Sequence, residues 1–318
     1  MNQVKSKYQE FLEQCLDGLK ENLGEGYNVQ VNTILKNNSI TMDGVVILKD
    51  GAKMTPNIYL EEYYEAYLRG SKMEEIVQRI LEVYTNQVEF GREMDIQFTF
   101  DTMKDSIIFR LVNREKNQEL LKNCPYIEFL DLAVTFHCLI QQESESIGTI
   151  RITNEHLELW QVTKENLLQQ ALANTPKLLP PVLRQMEDVL KELLNSEELS
   201  MNQEEIQIEL QRLEETKEQD ASNQNAMYIL SNVKGINGAS CMMYPDVIRN
   251  FCRILKCNVY VLPSSIHEVI LLPAASFYEK EQLEEMVYEI NQSEVPYEEV
   301  LSDHVYYYSL EKKQLMML

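Results

Sequence analysis

The chain has 318 residues, 44% hydrophobic and 25% charged, with 29 basic against 51 acidic side chains and a formal net charge of −22. That length suits about two domains and that composition a folded core, which excludes the disordered and collagen-like classes. The charge excludes a nucleic-acid binder working through a general basic surface and disfavours anionic membranes, and no motif along the chain names a substrate or a reaction.

Val4, Tyr8, Phe11, Leu12, Cys15, Leu16 and Leu19 recur at the spacing of one helical face, so the first element is an amphipathic helix. A signal peptide would carry a continuous apolar run there, and no stretch approaches the ~20 apolar residues of a membrane span. A cytoplasmic location is expected. After Gly24-Glu25-Gly26, the β-rich runs VQVNTIL and SITMDGVVIL are joined by Lys36-Asn37-Asn38, whose Asn residues tolerate the positive φ of a hairpin turn. NIYLEEYYEAYLRG then leads to a helix with Met73, Ile76, Val77, Ile80, Leu81 and Tyr84 on one face. Between residues 92 and 194 the strands SIIFRLV, LAVTFHCLI and TIRIT alternate with the helical stretches VTKENLLQQALAN and PPVLRQMEDVLKELL, where Pro180 and Pro181 suit a helix start.

Residues 195–222 hold nine acids against Arg212 and Lys217 and no aromatic residue, the composition of a solvated linker or insertion. Beyond it come the strand MYILSN, a turn at Gly235 and Gly238, and a helix with Val247, Ile248, Phe251, Ile254 and Leu255 as its apolar face. NVYVLPSSIHEVILLP reads as two strands around a Ser264-Ser265 turn, QLEEMVYEI as a helix and HVYYYSL as a strand. The fold class is α+β. Residues 1–194 form an N-terminal region, with a helix-hairpin-helix part and a mixed α/β part divided near 91; 195–222 is the linker, and 223–318 a C-terminal α+β domain.

Phosphate-binding loops and GxSxG are absent, and His267-Glu268 begins like HExxH but has Leu271 at the fifth position. None of the six cysteines forms a CxxC pair, so reduced thiols are expected. Cys241, Cys252, Cys257 and His267 are the one set that could converge on Zn²⁺, but their places suit packing, and neither a metal nor a cofactor is expected. One catalytic arrangement stands out: Cys241 at a helix start, where the dipole lowers a thiol pKa, with His267 as base and Ser240 and the amides after Gly238 as oxyanion donors. The opposing reading makes Gly235 to Cys241 a turn, Cys241 a packing thiol and His267 a hairpin residue. Tyr59, Tyr63, Tyr64 and Tyr67 form an aromatic stripe able to bind a sugar, a base or a partner chain, although stripes at helical spacing more often face a core.

The segments NNSITMDGVVI, PNIYLEEYYEAYLRG with MEEIVQRILEVY, MYILSN, GINGAS and LPSSIHEVILLP together resemble an uncharacterised domain-of-unknown-function family of anaerobic Gram-positive gut bacteria. That resemblance spans nearly the whole chain and implies no activity or catalytic residue. The expected function is a non-enzymatic interaction or accessory module, with a partner protein met through acidic helices. The alternative is a thiol-dependent hydrolase or transferase using Cys241 and His267.

Overall fold

Apolar residues at helical spacing dictate the first element: α1 (Asn2–Leu23) buries Phe11, Cys15 and Leu19 in one stripe. It stops at Gly24 and Gly26, both at positive φ (72° and 91°), which glycine alone adopts without strain. The computed structural model describes residues 2–51, 55–93, 98–142, 147–195, 226–275 and 278–318. They form two units, residues 1–98 and 99–318. The architecture is α+β, with three antiparallel sheets among the described residues.

In the first unit β1 (Tyr27–Leu35) and β2 (Thr41–Lys49) form the expected hairpin, in register from Tyr27↔Lys49 to Leu35↔Thr41. Its turn places Asn38 and Ser39 at φ 54° and 60° and is closed by the Lys36 N–H donating to the Ile40 carbonyl at 2.8 Å. Strand β3 (Asn57–Tyr59) joins β2, followed by α2 (Glu61–Leu68) and α3 (Met73–Glu93). Val29, Val45, Ile47, Ile58 and Leu60 share one core with the α1 stripe and with Ile76, Val77 and Ile80 of α3. A Cβ on Gly18 would lie 2.8 Å from a Val77 methyl carbon, so that glycine sets how closely the side chains of α3 approach α1. The Asp43 carboxylate accepts the Tyr8 hydroxyl (3.0 Å) and the Thr33 hydroxyl (2.8 Å), fastening α1 to the hairpin. Burial, then that carboxylate, push the Tyr8 phenol above its ordinary pKa.

The second unit holds the other two sheets. In the four-stranded sheet β6 (Leu132–Gln142) pairs with β4 (Ile107–Asn113), β5 (Tyr126–Phe129) and β7 (Ile147–Arg151). Helices α4 (Phe100–Met103), α5 (Gln118–Leu121) and α6 (Asn154–Trp160) connect its parts, and α7 (Lys164–Leu178) packs on β4. The Thr175 hydroxyl of α7 accepts the Phe109 N–H at 3.1 Å and donates to the Ala171 carbonyl at 2.6 Å.

The six-stranded sheet is built from β8 (Pro181–Gln185), β9 (Tyr228–Asn232), β10 (Val259–Leu262), β11 (Val269–Pro273), β12 (Tyr306–Ser309) and β13 (Gln314–Met317), in the order β13-β12-β10-β11-β9-β8. Helices α8 (Met186–Asn195), α9 (Val247–Leu255) and α10 (Lys280–Ser293) accompany it.

Three expectations change. Pro181 opens a strand rather than a helix: β8 is the outermost strand, where a missing N–H leaves no gap in the ladder, and the helix waits until Met186. The buried face of α9 is Ile248, Phe251 and Cys252, whereas Ile254 is 77% exposed, one residue off that stripe. The turn between β10 and β11 runs from residue 263 to 268, longer than the Ser pair. Of the acidic segment 195–222, all but Asn195 lies outside the described residues, and β8 before it pairs with β9 after it, from Pro181↔Asn232 to Gln185↔Tyr228.

Long-range polar contacts join the two sheets of this unit. Asp131, on the turn between β5 and β6, accepts the Ser302 hydroxyl at 2.7 Å on one carboxylate oxygen and the Tyr306 hydroxyl on the other. Asn113 donates to the Leu301 carbonyl (2.9 Å), and Lys116 reaches Asp303 (3.3 Å). Tyr306 and Ser302 are fully buried, so their hydroxyls have no water to turn to. Replacing Asp131 with Ala is expected to cost about 3 kcal/mol or more in urea unfolding, because two buried hydroxyls lose their acceptor. Tyr306→Phe alone is expected to cost ~1.5–3 kcal/mol, and much less in the Asp131→Ala background.

Candidate functional site

The segment carrying Cys241 follows β9, where Asn232 ends a strand and Gly235 turns the chain at φ 64°. Residues Gly238–Met243 form a 3-10 helix, preceded by Asn237 in the left-handed region. Cys241 is fully buried and its thiol donates to the Ser231 carbonyl at 3.2 Å. Burial pushes the thiol up to about 12, the reverse of the shift a nucleophile needs.

His267 lies in the turn between β10 and β11, about a quarter exposed. Its Nδ1 accepts the Asn237 N–H at 3.3 Å, and its Nε2 lies 3.4 Å from a Glu299 carboxylate oxygen. Both ring nitrogens are thus engaged by groups other than the thiol. The two candidates meet instead through Ser231, whose carbonyl takes the Cys241 thiol and whose hydroxyl donates to the His267 carbonyl at 2.8 Å. Glu268 also belongs to this turn, and burial raises its carboxyl above the usual range while His267 opposes that rise. Ser264 and Pro263 carbonyls accept the Leu301 and Ser302 N–H groups at 3.0 Å each, pinning the turn from the far side.

Gly238 is where these parts crowd together. A Cβ there would stand 2.1 Å from the Ser231 Oγ, 2.5 Å from the His267 carbonyl oxygen and 2.7 Å from the Asn232 nitrogen. Its ordinary φ shows that close approach, not a special backbone conformation, requires glycine.

The tyrosines divide between core and surface of the first unit. Tyr63 is buried with Arg79 5.4 Å from its ring centre, and Tyr67 packs on Phe11 at 5.4 Å. Tyr64 and Tyr8 meet edge to face at 4.7 Å. Tyr59 is half-buried with the Lys36 ammonium 3.6 Å above its ring. Cys252 is buried on α9 and Cys257 is partly exposed beyond it. Among the described residues, no group of three or more His, Cys, Asp or Glu could hold a metal ion, and no helix is long and apolar enough to cross a membrane. An open concavity lined by Leu183, Arg184, Gln185, Asp188, Lys191 and Glu192 contains none of the candidates.

A different cluster was missed in the sequence. On one face of the four-stranded sheet, Arg110 stands opposite Thr135, and His137 opposite Arg151. Arg110 donates to the Thr149 hydroxyl at 2.9 Å, but its Nε is buried with no hydrogen bond. His137 lies 3.2 Å from the Thr135 hydroxyl. Burial, then the like charge of Arg151, push Arg110 down to about 10, so it stays charged at neutral pH. Burial and both arginines hold His137 well below its ordinary 6.5. The available signal was a lone cation or imidazole inside each of three apolar strands: Phe109-Arg110-Leu111, Phe136-His137-Cys138 and Ile150-Arg151-Ile152.

Two outcomes are expected. Gly238→Ala should lose about 3 kcal/mol or fail to fold, whereas Gly235→Ala, with open space around it, should lose only the ~1–2 kcal/mol of a left-handed alanine, both read by urea unfolding. For His137, the unfolded chain takes up a proton near pH 6.5 that the folded sheet refuses. Its contribution is therefore complete above that pH and lost as pH falls below it, at up to about 1.4 kcal/mol per pH unit. His137→Gln should show a correspondingly shallower loss of stability between pH 7 and 5.5, a window well below that in which the facing Arg110 titrates.

No curated protein and no solved structure matches the chain. One family model does, over residues 8–310, which takes in the hairpin, the four-stranded sheet, five of the six strands of the other sheet (all but β13), the Cys241 turn and the arginine cluster. The chain belongs to the family of unknown function DUF5688.

Proposed function

We propose that this member of DUF5688 is a non-enzymatic binding or accessory module, acting in the cytoplasm and without nucleic-acid partners. The observation that carries the reading is the state of Cys241: fully buried, donating to a backbone carbonyl, its thiol pushed up to about 12. A thiol enzyme needs a thiolate within reach of a base, and here the His267 nitrogens face Asn237 and Glu299. The formal charge of −22 supports a partner of basic character. On α10, Glu281, Glu285 and Glu289 are exposed at successive four-residue steps beside Tyr288, 56% exposed, and this is the acidic helix face we assign to such a partner.

The competing reading, a thiol-dependent hydrolase or transferase, makes opposite demands on one measurement. Under iodoacetamide with peptide mapping across pH 6 to 9, Cys257, the partly exposed cysteine, should label ahead of buried Cys241, which should label only as the protein unfolds. Fast labelling of Cys241 near pH 6.5, lost in His267→Ala, would replace the module with the enzyme.

A further inference from the structure

Two guanidinium groups on one sheet face ordinarily bring carboxylates with them, because a buried charge without a counterion is costly to hold. Among the described residues of this strongly acidic chain, neither Arg110 nor Arg151 has a carboxylate within ion-pair distance. What surrounds them is a set of donors from three adjacent strands: Arg110 from β4, Thr135 and His137 from β6, Thr149 and Arg151 from β7. The Arg110 Nε is a buried donor with nothing to donate to. Arg110, Arg151 and Thr149 are partly exposed, which gives solvent a way in, while His137, Thr135 and the Nε atom of Arg110 are buried.

We infer that this face is a binding site for a small divalent tetrahedral oxyanion, a phosphate or sulfate group, held between Arg110 and Arg151 with the Thr135 and Thr149 hydroxyls as further donors. A divalent ion neutralises both guanidiniums at once, which one carboxylate does not. Donors arriving from three strands suit a tetrahedral ion better than a planar one, and planar guanidinium forks match phosphate oxygens in pairs. Neutral His137 adds no third like charge; with its N–H on Nε2 it donates to the Thr135 oxygen at 3.2 Å and leaves the Thr135 proton for the ion. The inference goes beyond the binding-module reading: it adds a small-anion site on the four-stranded sheet, apart from the acidic α10 face and its basic partner.

The test is thermal unfolding and calorimetric titration of the full chain at pH 8, with inorganic phosphate, sulfate and glycerol phosphate against chloride and acetate at matched ionic strength. Phosphate and sulfate are expected to raise the midpoint by ~3 °C or more at millimolar concentration, and chloride and acetate not to. A glycerol phosphate response equal to or above that of inorganic phosphate identifies the ligand as a phosphorylated small molecule. A response confined to the inorganic ions identifies the free oxyanion.

Arg110→Met should abolish the response and, having removed an uncompensated charge, leave the ligand-free protein at least as stable as before. Arg151→Met, at a partly exposed position, is the second variant and should also abolish it. Arg110→Lys should weaken binding at least tenfold, because the fork is lost while the charge stays. Arg69→Met, in the other unit and exposed, should change nothing. Absence of any phosphate- or sulfate-specific shift, or an undiminished shift in both methionine variants, overturns the inference. Either result is independent of Cys241 labelling, so failure of this site and failure of the module reading are told apart.

Discussion

A carboxylate that serves two buried hydroxyls fixes three parts of a chain at once, and in the second unit Asp131 is that group. It sits on a two-residue turn between Phe129 and Leu132, with Leu130 at φ 56°, a conformation unfavourable for leucine that its neighbours must hold in place. The Asp131 carbonyl accepts the Arg114 N–H at 3.1 Å while its carboxylate receives Ser302 and Tyr306. Tyr306 in turn lies in β12, paired with Val261 and Met317, so the position of one turn is transmitted into the middle of the six-stranded sheet. Burial and this same carboxylate push the Tyr306 phenol above its ordinary pKa, which keeps it a donor throughout the physiological range.

The turn around His267 inherits its place from that contact. Ser302 gives its hydroxyl to Asp131 and its N–H to the Pro263 carbonyl, and Leu301 gives its N–H to Ser264. The other side of the turn presses its His267 carbonyl against Ser231 and Gly238. A loop bound on both sides in this way has little freedom to rearrange around a substrate. The residue types of a thiol site are present, but the Cys241 thiol and the His267 Nδ1 are engaged by backbone groups and the His267 Nε2 faces Glu299.

Periodicity made the elements legible because each core-facing stripe is local: Phe11, Cys15 and Leu19 on α1, or Val45 and Ile47 on β2, follow from their own spacing. The hairpin turn was legible for the same reason, since asparagine at positive φ is a property of a single position. The strand at Pro181 was not, because proline suits both a helix start and an outer strand, and only pairing with β9 decides between them. The site was less legible still. Cys241 and His267 attracted notice as residue types, yet what governs them is burial and a glycine contact that no spacing reveals. Arg110 and Arg151 lie 41 positions apart, and only the register through β6 sets them on one face. In the sequence each is an isolated polar interruption of a strand, and only their likeness across three strands marks the shared face.

Strands β8 and β9 are neighbours in space but are separated in sequence by α8 and the acidic segment. Closing a connection of about forty residues costs more chain entropy than closing the tight turn between β12 and β13, though only logarithmically more. β8 is therefore the strand expected to join last in folding, added as a border to a sheet whose other five strands are already assembled. The same geometry separates continuity of the chain from continuity of the fold. A break anywhere in the acidic stretch would leave two polypeptides laced together by a ladder of backbone hydrogen bonds, so the molecule could be made from two pieces that find each other.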